Sequence, residues 1–215
     1  MSLALFDLDG TLVDQARAAA LWSAELGEQH SLSQDEITSV ATALAARRSK
    51  GAVFHEIVDE LGLREDPLRL WEAYRLRMPE LVICADGVLA ALSMLRTAGW
   101  TIGIVTNGEV DNQEGKIFRT GLSEAVDGWV ISADAGARKP DRAIFELAAR
   151  RLGVPLQGWM IGDGLESDIA GGAAAGLSTA WISDGIDNDE TLLATIIVAS
   201  VPDAVARILT TDARA

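Results

Sequence analysis

At 215 residues with 49% apolar content, the chain is long enough to bury one large core, or a core with a smaller insertion. A formal net charge of -14 would repel a polyanion, which argues against nucleic acid as a partner. The single cysteine, Cys84, excludes an internal disulfide, and His30 and His55 stand too far from other ligands for a zinc pattern; with no apolar run of about eighteen residues and no signal-peptide pattern, the expectation is a cytoplasmic protein without a membrane partner.

The first element in chain order is a short apolar strand at residues 3–6, which leads into FDLDGTLVD at residues 6–14. The carboxyl end of such a strand is where an open parallel sheet places its ligand. Asp7 and Asp9 are two residues apart, so both can face one pocket, where two carboxylates repel unless a cation or a shared proton intervenes. The pair therefore implies a metal.

Residues 15–80 have helical periodicity and no convincing strand. Ile37, Val40, Ala41, Leu44 and Ala45 make one apolar stripe, and Val53, Phe54, Ile57, Val58 and Leu61 make a second. Asp66-Pro67 has the form of an N-cap followed by proline at the first helical position, starting a helix through Leu70, Trp71 and Tyr74. From Asp86 onward the rhythm is βα. A helix with Val88, Leu89, Leu92 and Leu95 ends at Gly99, and a strand over 100–105 stops at Thr106-Asn107-Gly108. Further strands are expected at 129–131, 159–161, 179–182 and 196–198. The helices between them carry Ile144, Leu147, Ala148 and Leu152, or Ile169, Ala173 and Ala174. This alternation predicts an α/β fold with a doubly wound parallel sheet. The helical block is then an insertion, giving a core of residues 1–14 and 82–215 and an all-helical cap of residues 15–81.

Four strand ends carry polar residues of complementary kinds: Asp7 with Asp9, Thr106 with Asn107, Lys139 in ARKPD, and Asp163 with Asp168 in IGDGLESDIAGG. In a doubly wound sheet these loops converge on one crevice. The set supplies a carboxylate nucleophile, a second carboxylate for proton transfer, a hydroxyl and an amide for phosphate oxygens, an ammonium and a magnesium site. Those are the requirements of phosphate-ester hydrolysis.

FDLDGTLVD, VTNG, ISADAGARKPDRAIFELAARRLGV and IGDGLESDIAGGAAAGLSTAWIS, in that order, resemble the motifs of the haloacid dehalogenase superfamily, in particular its phosphatases with an inserted helical cap. The resemblance covers nearly the whole chain and implies a role for each motif residue. Asp7 would attack phosphorus and form an aspartyl-phosphate, while Asp9 would protonate the leaving oxygen and later deprotonate water. Mg2+ would be held by the Asp7 side chain, the Asp9 backbone carbonyl and Asp163. Thr106 and the Asn107 backbone would bind phosphoryl oxygens, and Lys139, positioned in part by Asp168, would neutralise charge there. The dehalogenases of the superfamily lack the second aspartate, so Asp9 points to phosphate chemistry. The partner implied is a small phosphorylated metabolite, acted on by a monomer or homodimer. Nucleoside monophosphates rank first as substrates, and phosphoglycolate or sugar phosphates second. A phosphomutase, or a non-catalytic regulatory relative, is the remaining alternative.

Several residues admit a plainer reading. Asp168 suits the N-cap of a helix beginning near Ile169 as well as a supporting role at the site. Arg47, Arg48 and Lys50 could meet an anionic substrate, but such a run is ordinarily a solvated helix end favoured by the helix dipole. Cys84 reads as an inert buried thiol, His30 and His55 as surface or packing residues, and Trp100, Trp129, Trp159 and Trp181 as strand residues that pack.

Overall fold

In the computed structural model, which describes residues 2–46, 48–183 and 194–212, the apolar runs pair side by side as a parallel sheet. Its strands are β1 (Leu3–Phe6), β2 (Thr101–Thr106), β3 (Gly128–Ile131), β4 (Gly158–Gly162), β5 (Ser178–Ile182) and β6 (Ile196–Val198), in the order β3-β2-β1-β4-β5-β6. The helices are α1 (Gln15–His30), α2 (Gln34–Ala45), α3 (Lys50–Leu61), α4 (Pro67–Leu81), α5 (Asp86–Thr97), α6 (Val110–Arg119), α7 (Leu122–Ala125), α8 (Ser132–Ala135), α9 (Arg142–Arg151), α10 (Gly171–Ala174) and α11 (Val201–Asp212), with a π-helical turn at Leu165–Ala170. The expected α/β class with a doubly wound sheet is what forms.

The described chain divides into two compact units, Met1–Val13 with Cys84–Ala215, and Asp14–Ile83. In the first unit β1 is central and buried along its whole length. Leu3 and Leu5 face a core with Val105, Val130, Ile144, Phe145, Ala148 and Met160, so α9 covers one side of the sheet. From β1 the strand order runs outward through β2 and β3, and the chain then returns to β4 on the other side of β1. That reversal is a topological switch point, where loops on either side diverge and leave a crevice at the carboxyl ends of the strands. Phe6 is level with Ile104 of β2 and Ile161 of β4, so Asp7 leaves the sheet between the ends of those two strands.

Two sequence boundaries shift for identifiable reasons. β2 begins at Thr101 rather than Trp100, because the Trp100 N–H donates to the Leu95 carbonyl at the exit of α5. The helix expected to start near Ile169 begins earlier, at the π-helical turn, so Asp168 lies inside the element and not at its N-cap.

The second unit is helical throughout. Asp14 caps α1 through the Arg17 N–H at 2.9 Å, and Ser33 with Glu36 forms a capping box on α2. Asp66 caps α4 and Pro67 opens it, as the Asp-Pro pair predicts. Its core includes Trp22, Phe54 and Tyr74, with ring centroids 5.1–5.7 Å apart. Of the first expected stripe only Val40 and Leu44 are buried, whereas Val53, Phe54, Ile57 and Val58 all are. No single helix among the described residues is long and apolar enough to cross a membrane.

Candidate functional site

Asp7 continues β1 by donating its N–H to the Ile161 carbonyl at 2.9 Å, which fixes its side chain at the mouth of the crevice. The chain then turns tightly: the N–H groups of Thr11, Leu12 and Val13 all point to the Leu8 carbonyl. Gly10 takes φ +83°, and a Cβ there would lie 2.3 Å from Asp163 Oδ2. Gly10→Ala is therefore expected to cost about 1–2 kcal/mol from the left-handed backbone alone. It should also displace Asp163, so thermal melts should show a smaller stabilisation by divalent cation than in the native protein.

Around Asp7 the structure assembles the acidic and basic motif residues. Lys139 Nζ lies 2.6 Å from Asp7 Oδ1 and 2.7 Å from Asp168 Oδ1, with its side chain 2% exposed. Asp168 is fully buried, and its other oxygen accepts from the Gly164 N–H at 2.8 Å, which ties the π-helical turn to the loop after β4. Asp7, Asp163 and Asp168 each bring a carboxylate oxygen to within 4.8 Å of the others. Thr11 Oγ1 donates to Asp163 Oδ1 at 3.4 Å, and Trp181 Nε1 donates to the Asp163 carbonyl at 3.0 Å, so a tryptophan read as packing also anchors this loop.

The electrostatics follow from burial. Desolvation pushes the Asp7 carboxyl up from 3.8 to about 7; Lys139 opposes this, while Asp168 and Asp163 add to it. Burial alone would lower Lys139, but the adjacent Asp7 and Asp168 outweigh it and hold the ammonium protonated. One ammonium for three clustered carboxylates leaves net negative charge in a largely buried place. Clustered hard oxygen donors with surplus negative charge suit a hard divalent cation.

Thr106, the last residue of β2, is buried. Asn107 holds the Lys139 loop with its side chain: Nδ2 donates to the Lys139 carbonyl at 3.0 Å, and Oδ1 accepts from the Lys139 N–H at 2.9 Å. The motif-three lysine is thus placed by the motif-two asparagine. Asp9 turns elsewhere. Its Oδ1 meets Lys116 Nζ at 2.7 Å and its Oδ2 accepts from Gln113 Nε2 at 3.0 Å, while Gln113 Nε2 also donates to Thr106 Oγ1 at 2.6 Å. Gln113 and Lys116 escaped the sequence reading, because polar residues on a short helix read as solvated. The available signal was their i, i+3 spacing beside Ile117, on the face of α6 that becomes buried.

The remaining candidates have partners of their own or none described. Arg47 falls outside the described residues. Arg48 pairs with Glu56 at 2.7 Å, and Lys50 Nζ donates to the Ala46 carbonyl at 3.3 Å beyond the end of α2. That matches the helix-end reading of this basic run. Cys84 is half-buried rather than fully buried, and desolvation with nearby Asp86 pushes its thiol up to about 11, which keeps it unreactive.

The comparisons with known proteins agree with this architecture. A family model described as haloacid dehalogenase-like hydrolase matches residues 1–176. The pyrimidine 5'-nucleotidase of Escherichia coli is 38% identical over 123 residues, 56% of this chain and 54% of that protein, so the match spans about half of that relative. The glyceraldehyde 3-phosphate phosphatase of Pyrococcus abyssi is 31% identical over 191 residues, 84% of this chain and 80% of that protein. Among solved structures, a phosphatase of the same superfamily from Thermococcus onnurineus superposes with a TM-score of 0.68 at 26% identity, over 97% of this chain and 98% of that one. With four-fifths of its length under one family model and the four motifs at the switch point of the sheet, the chain belongs to the haloacid dehalogenase-like hydrolase family.

Proposed function

We propose that this chain is a magnesium-dependent phosphatase that hydrolyses small phosphate monoesters through an aspartyl-phosphate on Asp7. The observation that carries the reading is the pairing of two aspartates in different electrostatic settings on one turn. Asp7 is buried against Lys139, and Asp9 is held by donors from α6. A nucleophile that must meet a phosphate dianion needs charge compensation, and Lys139 with a cation in the carboxylate cluster provides it.

Each residue has a step. Asp7 Oδ attacks phosphorus as the ester oxygen departs, and Asp9 gives that oxygen a proton. Water then attacks phosphorus of the acyl phosphate, losing its proton to Asp9, and as the bond to Asp7 breaks inorganic phosphate is released and the Asp7 carboxylate is regenerated. Thr106 donates to a transferring phosphoryl oxygen, and Asp168 keeps Lys139 aimed at Asp7. Mg2+, held by Asp7 and Asp163 with the Asp9 backbone carbonyl, would offset the repulsion between carboxylate and phosphate and align the phosphoryl group.

For the substrate class, the names of the relatives support nucleoside monophosphates first and triose or sugar phosphates second. The first rests on the 38% identity to the nucleotidase over 123 residues, the second on the longer match, 191 residues at 31%, to the Pyrococcus abyssi phosphatase. The purified protein is expected to hydrolyse p-nitrophenyl phosphate with Mg2+ and to stop when EDTA removes the metal. A panel of nucleotides, triose phosphates, phosphoglycolate and hexose phosphates then ranks substrates by kcat/KM. Absence of metal-dependent phosphate release across the whole panel would sink the phosphatase reading and return the non-catalytic alternative.

A further inference from the structure

We propose that Gln113 and Lys116 are a positioning pair on α6: they hold the Asp9 carboxylate for proton transfer and set the Thr106 hydroxyl as a donor toward the transferring phosphoryl group. The inference rests on the reading of Asp9 as the acid and base.

Three residues apart on one helix, the two side chains share a face, and both are almost fully buried, Gln113 at 2% and Lys116 at 1%. Burying a lysine is costly unless its charge is met, so packing alone does not account for Lys116 where methionine or leucine would serve. Its charge is met by Asp9, 2.7 Å away. Gln113 takes the other Asp9 oxygen at 3.0 Å, so the carboxylate is gripped at both ends and its plane is fixed as well as its position. A carboxylate left to water would sample many rotamers; holding it converts that lost freedom into correctly oriented proton transfer.

The Gln113 amide does a second thing. Its Nε2 carries both contacts, to Asp9 and to Thr106 Oγ1 at 2.6 Å, and the amide cannot flip without turning its carbonyl oxygen against a carboxylate. Nε2 only donates, so the Thr106 hydroxyl accepts here and directs its own hydrogen elsewhere. On the proposed mechanism the acceptor is a phosphoryl oxygen. Gly108 leaves the room required, since a Cβ there would lie 2.9 Å from Gln113 Cγ and Cδ. During turnover Asp9 passes its proton to the leaving oxygen as the P–O bond breaks. The resulting carboxylate rests on Lys116 and Gln113 until water attacking the acyl phosphate returns a proton to it.

The test uses the leaving group. p-Nitrophenolate departs without a proton, whereas an alkoxide does not, and kcat/KM ends at departure of the alcohol, so it isolates the proton-donating half. Lys116→Met is expected to lower kcat/KM for the fastest alkyl phosphate of the panel by roughly 10²-fold or more, the lower bound of general-acid contributions, and that for p-nitrophenyl phosphate by less than about fivefold; Gln113→Leu, which also releases Thr106, is expected to lower both, the alkyl phosphate at least about tenfold further. Equal losses on both esters, or none on either, overturn the inference. Asp9→Asn, measured beside them, tests the underlying reading separately. If Asp9→Asn damages both esters alike, the acid role itself fails whatever the other variants do. Should Lys116→Met not fold, Gln113→Leu, which exposes no unpaired charge of its own, decides the question.

Discussion

Asp7→Asn is expected to abolish turnover and, without divalent cation, to leave the protein more stable than the native sequence above neutral pH. The loss of activity follows from removing the attacking oxygen anion, and should reach roughly 10⁴-fold or more in kcat, as for other nucleophile deletions. The gain in stability follows from linkage. The folded protein holds the Asp7 proton up to about pH 7, while the unfolded chain releases it near 3.8. Between those values the folded state binds the extra proton, so stability falls as pH rises, and the full penalty stands above about 7. About three units at 1.36 kcal/mol each put that penalty at no more than about 4 kcal/mol. Asparagine does not ionise, yet its carbonyl can still accept from Lys139. Melts at pH 8 in EDTA should place Asp7→Asn above the native protein, the gap closing toward pH 5. Added Mg2+ should then stabilise the native protein more than the variant. A variant that is less stable than native at pH 8 in EDTA would contradict this account of the site.

Lys139→Met should act in the opposite sense on stability. Its ammonium is the shared partner of Asp7 and Asp168, at 2.6 and 2.7 Å, in a largely buried place. Removing one partner of a buried pair leaves uncompensated charge and costs about 3–5 kcal/mol. For a chain of this size that is on the order of 10 °C in Tm. Two observations would trace the loss to charge rather than to packing. The deficit should shrink as pH falls and the stranded carboxylates protonate, and it should shrink when Mg2+ is added. Activity should fall by about 10²–10³-fold, the usual effect of deleting one group that stabilises transition-state charge. A Tm within a degree or two of native at pH 8 would show that Lys139 is not the counter-charge argued for here.

Much of this is legible in the amino-acid sequence. Alternation of apolar runs with helical periodicity specifies βα units, and parallel strands admit few connections, so the sheet and the ends at which Asp7, Thr106 and Asp163 sit follow from local pattern. Legibility failed where a polar side chain has two possible environments. Gln113 and Lys116 belong to no motif, and the burial of their face is decided by where α6 lands. The Asn107 side chain holds the Lys139 main chain 32 residues later, a contact that no local rule anticipates and that leaves the expected backbone role toward phosphate untouched. Asp168 suited an N-cap until the π-helical turn moved the start of its element.

The sequence by itself determined the fold class, the strand ends and the chemical kinds of residue gathered there, since these depend on periodicity and on short motifs whose spacing is covalent. Only the tertiary structure decided which of those groups share a proton, a charge or a hydrogen bond. Those pairings form between distant segments over a few ångströms, where burial strips away water and makes each partner matter. The same carboxylate chemistry thus becomes two different groups: Asp7, whose ionisation burial disfavours, and Asp9, gripped by a lysine and an amide from α6.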